Sequence, residues 1–105
     1  MKDHVALLIK KEKEFLFIKR AKDKKTLPNI WAFPSGTREE GEIIEETAKR
    51  EAYEELDVVV EAKKVLGVKE LSEFDVKLHF LVCTLKSGIP KIKDEKEIQE
   101  LKWLT

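Results

Sequence analysis

Residues 36–58 read GTREEGEIIEETAKREAYEELDV, a tight loop feeding a helix. Glu42 and Ile43 open the helical run. No Gly or Pro interrupts residues 44–56, where Ala48, Ala52 and Leu56 recur at four-residue steps as a narrow apolar stripe. At about 3.6 residues per turn, Glu51, Glu54 and Glu55 fall within about a 100° arc that borders this stripe. Three like charges beside a buried seam repel one another, and a face serving only solubility gains from interspersed lysines. A divalent cation resolves the repulsion. Hard, oxygen-seeking Mg²⁺, or Mn²⁺ in its place, suits carboxylates together with phosphate oxygens.

Charged residues make up 40% of the chain, so an Arg-Glu-x-x-Glu-Glu cluster by itself is ordinarily a solvated helix face. The surrounding spacing decides otherwise. Gly36 is followed after five residues by Glu42, and after seven more by Arg50-Glu51. Ala52, Tyr53, Glu54-Glu55 and, after two more residues, Val58 complete the pattern. This resembles the Nudix box, the signature of hydrolases that split nucleoside diphosphates linked to another group. Gly36, Glu42, Arg50, Glu51, Glu54 and Glu55 all match box positions. The glycine near its end is replaced by Asp57, a residue that visits the left-handed helix-ending conformation more readily than most. Ser35 replaces the first of two glycines that relatives carry after Pro34.

The resemblance covers residues 5–105. It implies an α/β/α sandwich around a mixed central sheet, in one domain spanning 1–105 and lacking the usual C-terminal helix. It also implies Mg²⁺ (or Mn²⁺) held by Glu51, Glu54, Glu55 and Glu97. Glu97 is the choice because a glutamate six residues before a tryptophan, here Trp103, reaches the metal site in mutator-type members. Glu95 and Glu100 are its alternatives. Glu39 matches a position where relatives hold an acid near the metals, and Arg20 one where they keep a basic residue for the substrate. Gly36 borders the same substrate site.

The remaining residues fit that frame. Residues 5–9 (VALLI) and 15–18 (FLFI) read as a hairpin across a charged turn, and residues 21–30 as a Lys-rich loop closed by Pro28-Asn29. Pro34 breaks a strand and forces a turn, and Gly36 is expected to supply a positive φ. Residues 58–60 and 64–68 read as short strands with a bulge at Gly67, and 76–85 as the longest strand. His79 on that strand is either a substrate contact or a locally satisfied side chain. Residues 91–100 read as a charged loop and 101–104 as the last strand. One helix among strands makes a mixed sheet with helix packed against it.

With 105 residues and zero formal net charge, the chain is one small domain and not a general nucleic-acid binder. Its single Cys83 excludes an internal disulfide framework. No signal-peptide pattern or long apolar run occurs, so a soluble cytoplasmic protein is expected. The expected chemistry is metal-assisted hydrolysis of a phosphoanhydride. Glu51, Glu55 or Glu97 takes a proton from the attacking water, and Arg50 orients the neighbouring glutamates. A nucleoside triphosphate pyrophosphohydrolase that clears oxidised purine nucleotides is the favoured branch. The rivals are a sibling acting on dinucleoside polyphosphates or nucleotide sugars, and a non-catalytic nucleotide-binding module. A sheet with two apolar faces and one helix is expected to self-associate as a homodimer.

Overall fold

The computed structural model describes residues 1–25 and 27–105. The expected loop at 21–30 includes Thr26, which lies outside the described residues. Strands β1 (Lys2–Lys11) and β2 (Glu14–Arg20) form the expected hairpin, with Glu12 at its turn in the left-handed region. Their pairing is confined to the turn end, at Lys10↔Phe15 and Lys11↔Glu14. Beyond it the strands part, and the segment around Pro34 fills the gap. On one side of Pro34, β3 (Trp31–Ala32) pairs with β2; on the other, β4 (Ser35–Thr37) pairs with β1. Pro34 itself is fully buried, and its carbonyl accepts the Leu7 N–H at 2.8 Å. A residue with no N–H to offer thus marks the point where one segment changes partners.

Helix α1 (Ile44–Leu56) begins two residues later than Glu42, because Ile43 is extended and serves as the cap. The Ile43 N–H is taken by the Glu46 carboxylate at 2.9 Å. The helix ends at Asp57 in the left-handed conformation, φ 58° and ψ 38°, as expected of that residue.

Two short strands were expected after the helix, but there is one, β5 (Val59–Leu71). Irregularities at Val59/Val60, Ala62/Lys64 and Val65/Gly67 absorb the extra residues against β6 (Val76–Ser87), so polar interruptions do not end the strand. The bulge expected at Gly67 is among them. A 3-10 turn over Ser72–Phe74 links the two. The last strand, β7 (Ile98–Leu104), starts three residues earlier than expected, which puts Glu100 on a strand beside Lys19 rather than in a loop.

The sheet order is β3-β2-β1-β6-β5, with β4 added to β1 and β7 to β2; β1 and β6 are parallel, which makes the sheet mixed. Val5, Leu7, Ile9, Leu16, Ile18, Leu81 and Cys83 face Ala48, Ala52 and Leu56 of the helix and form the core. Among the described residues α1 is the one α-helix, packed on one face of the mixed sheet. The opposite sheet face carries half-buried Leu8, Phe15, Phe17, Phe80 and Val82, with Phe33 stacked on Phe17 at 4.6 Å. No helix among the described residues is long and apolar enough to cross a membrane.

Candidate active site

Packing divides the three helix glutamates that spacing alone treats alike. Glu55 shares the helix face of Ala48 and Ala52 and is 8% exposed, whereas Glu54 is exposed. Glu51 lies between them, against β4. A side chain at Gly36 would overlap the Glu51 carboxyl carbon, so the glycine is there for space. Its φ is not positive, which corrects the expectation of a left-handed turn.

Arg50 is the hub. Its Nε donates to Glu42 Oε2 at 2.7 Å and one terminal nitrogen to Glu42 Oε1 at 3.1 Å and the Thr37 carbonyl at 2.8 Å. The other reaches Glu51 Oε1 at 3.0 Å and Glu54 Oε1 at 3.3 Å. Glu39 stands 3.5 Å from Arg50 Nε. Glu42 also accepts from the Glu39 N–H at 2.9 Å and the Thr47 hydroxyl at 3.0 Å. Hydrogen bonds from Arg50 and from the Glu39 backbone hold the Glu42 carboxyl down at about 2. One guanidinium therefore fastens loop, strand and helix together around the carboxylates.

Glu55 carries the opposite perturbation. Burial pushes its carboxyl well above the usual range, and a hydrogen bond with Glu51 and the charges of Glu51, Glu97 and Asp94 push the same way. Its Oε2 is buried with no partner among the described residues. Glu97 lies in the segment just before β7, close enough for its charge to act on Glu55. A turn at Ala21 holds it: the Ala21 N–H donates to the Glu97 carbonyl at 3.0 Å and Lys24 Nζ to its carboxylate. Arg20 closes the end of β2, its Nε donating to the Leu27 carbonyl at 2.9 Å.

Asp57 repays its departure from the box glycine. Its carboxylate pairs with Lys91 at 3.1 Å and Lys93 at 3.7 Å, offsetting a negative charge at a helix C-terminus. The same two residues donate backbone N–H groups to the Leu56 and Glu55 carbonyls at 3.0 Å each. That segment leads directly to Asp94 and Glu97. Sequence reasoning missed this anchor, and it missed Lys24, which sits in a run of lysines that distinguishes none of them. His79 is satisfied locally, its Nε2 2.9 Å from Asp3 Oδ1.

Among the described residues no three His, Cys, Asp or Glu side chains stand ready at metal-binding spacing. Glu51 and Glu54 lean on Arg50 and Glu97 on Lys24, as repelling carboxylates do when cations are at hand. The donor set nevertheless fits a hard divalent cation. It has an orphaned, buried carboxyl oxygen on Glu55, an adjoining carboxylate on Glu51, and a glycine that leaves them room.

A model of the NUDIX domain matches residues 2–105. Nudix hydrolase 2 of Arabidopsis thaliana is 31% identical over 102 residues, 94% of this chain and 37% of that protein. Nucleoside diphosphate-linked moiety X motif 6 of Mus musculus is 37% identical over 68 residues, 61% of this chain and 22% of its own. The chain thus spans well under half the length of these curated relatives. Among solved structures, a NUDIX hydrolase from Nitrosomonas europaea aligns with a TM-score of 0.82 at 25% identity, covering 98% of this chain and 56% of that one. A MutT protein from Methanosarcina mazei Go1 gives 0.79 at 24% identity over 99% and 76%, a likeness of fold. With Glu51 of the box seated against Gly36 and the family model running through residues 2–105, the chain belongs to the Nudix family.

Proposed function

We propose that this chain is a divalent-cation-dependent hydrolase that cleaves a phosphoanhydride in a nucleoside diphosphate linked to another group. The favoured substrate is a nucleoside triphosphate, oxidised purine nucleotides included. The observation that carries the reading is Glu55: a buried carboxyl with an unpartnered oxygen, pressed by Glu51 and Glu97. Such an arrangement costs stability unless a cation or proton compensates it. The names of the curated relatives, which speak of Nudix hydrolases and nucleoside diphosphate-linked moieties, support the substrate class.

Glu51 and Glu55 are the residues that would hold Mg²⁺ or Mn²⁺, with Glu54 and Glu97 as the further carboxylates that would share it. The cation, when bound, neutralises charge on the diphosphate and lowers the pKa of water. Glu97 is half-exposed and its charge acts on Glu55, so it is the carboxylate that accepts the proton of the attacking water, while Glu55 is the more enclosed of the two. Arg50 orients Glu51 and Glu54. Arg20 and Glu39 are the residues that would meet the substrate, Glu39 standing beside Arg50.

A panel of nucleoside triphosphates, oxidised purine triphosphates, nucleotide sugars and dinucleoside polyphosphates, assayed with Mg²⁺ and with chelator, tests this reading. Mg²⁺-dependent release of pyrophosphate from a triphosphate is the expected result. Nucleotide binding without turnover of any substrate would establish a binding module instead.

The half-buried apolar residues on the sheet face away from α1 support a two-fold dimer. Each Å² of apolar surface that a mate removes from water gains roughly 25 cal/mol, and interfaces ordinarily form where apolar side chains are incompletely covered. Light scattering at low micromolar concentration should give twice the monomer mass. A monomer with a cooperative melt rules the dimer out.

A further inference from the structure

Lys24 is the residue at this site that neither box spacing nor the proposed chemistry uses. It lies 73 residues from Glu97 in sequence, yet its ammonium sits on the Glu97 carboxylate, and its side chain is only 19% exposed. The backbone is committed to the same contact. The Lys24 N–H donates to the Ala21 carbonyl at 3.2 Å and the Ala21 N–H to the Glu97 carbonyl at 3.0 Å. A buried Ala21 and Ile98 back this turn, and the Glu97 and Ile98 N–H groups both donate to the Asp94 carbonyl, which closes the other side. The turn therefore holds one ammonium against Glu97, the carboxylate whose charge also bears on Glu55.

Two consequences follow from charge alone. An ammonium seated on Glu97 competes with a divalent cation for that carboxylate while the contact lasts. A divalent cation placed among Glu51, Glu55 and Glu97 repels the ammonium, which is then released to pair with another anion, and the phosphates of a bound substrate are the multiply charged candidates.

We infer that Lys24 is a built-in surrogate cation, which occupies Glu97 until a divalent cation takes its place and then becomes a ligand of the substrate's phosphates. This inference rests on the cation-dependent reading above and adds to it a gating and phosphate-binding residue. Lysine suits the role better than arginine, since a compact ammonium on a flexible stem changes partners without breaking a two-pronged bond.

Mn²⁺ binding to the substrate-free protein, followed by electron paramagnetic resonance or calorimetry, tests it. Lys24→Met keeps the stem and removes the charge, so Mn²⁺ should bind about three- to tenfold tighter than to the wild type. That gain should vanish in a Glu97→Gln background, since the competition acts through Glu97. With saturating Mn²⁺, KM for the triphosphate should rise about tenfold in Lys24→Met and return toward the wild-type value in Lys24→Arg. Unchanged Mn²⁺ affinity in Lys24→Met, alongside wild-type binding that Glu55→Gln abolishes, overturns the gate and leaves the cation site standing. A wild-type protein that binds no Mn²⁺ overturns both.

Discussion

Replacing Glu55 by glutamine should lower the rate of hydrolysis about a thousandfold and, with cations chelated, make the protein more stable at alkaline pH than the wild type. The first effect follows from the proposed role of Glu55 as a cation ligand, since glutamine cannot supply a carboxylate yet has almost the same shape. The second follows from the direction of the Glu55 shift. Its folded carboxyl holds a proton far above the usual range, because burial disfavours the ionised form and Glu51 lies against it. The unfolded chain releases that proton near the ordinary glutamate value of about 4.3. Below that pH both states are protonated and the group makes no difference. Above it the native state binds more protons than the unfolded state, so stability falls as pH rises, by up to about 1.4 kcal/mol per unit. The decline continues until the pH reaches the raised folded value. Thermal melts in chelator between pH 5 and 9 should therefore slope downward for the wild type and be flatter for Glu55→Gln. Added Mg²⁺ should lift the wild type at the alkaline end and leave the variant unmoved. Superimposable melts, or undiminished turnover in Glu55→Gln, would remove Glu55 from the centre of the site.

Arg50→Lys should be nearly as damaging to activity and more damaging to the fold. The guanidinium serves Glu42 with two nitrogens, the Thr37 carbonyl, Glu51 and Glu54 together, and one ammonium cannot span that set. Only 21% of the Arg50 side chain is exposed, so the stranded carboxylates lose a poorly hydrated partner. A loss of about 2–3 kcal/mol is expected, which in a domain of this size lowers the melting temperature by roughly 10 °C or more. The acid limb provides a separate check. Glu42 is held at about 2, so its contribution is present above the ordinary glutamate range and disappears as pH falls from about 4 toward 2. In Arg50→Lys that limb should shrink, because its cause has gone. A variant with wild-type stability and an unchanged acid limb would show that the hub is dispensable.

How much of this was legible beforehand divides along one line. Box spacing, the helix through Leu56, the left-handed end at Asp57 and the hairpin at Glu12 were readable because each depends on neighbours within a few residues. Helical periodicity also put Glu51, Glu54 and Glu55 on one arc. It had no means of separating them, since their burial depends on which segments of sheet and loop come to lie over the helix. Gly36 was identified as necessary for a reason the structure replaces: room for Glu51, which belongs to another element, and not a backbone angle of its own. The polar residues of β5 read as a gap between two strands, yet the adjacent β6 supplies hydrogen bonds along the whole length and bulges take up the mismatch.

The sequence by itself determined the family pattern, the helix and the arc of it that carries Glu51, Glu54 and Glu55, since these follow from short-range spacing and residue chemistry. Tertiary structure alone decided that Glu55 is buried, that Arg50 gathers Glu42, Glu51 and Glu54, that Asp57 tethers the segment before Glu97, and that Lys24 sits on Glu97 across 73 residues. Burial and charge pairing depend on distances through space between segments far apart in sequence. In a chain where 40% of residues are charged, almost any acid has a plausible partner, and only the folded chain selects one.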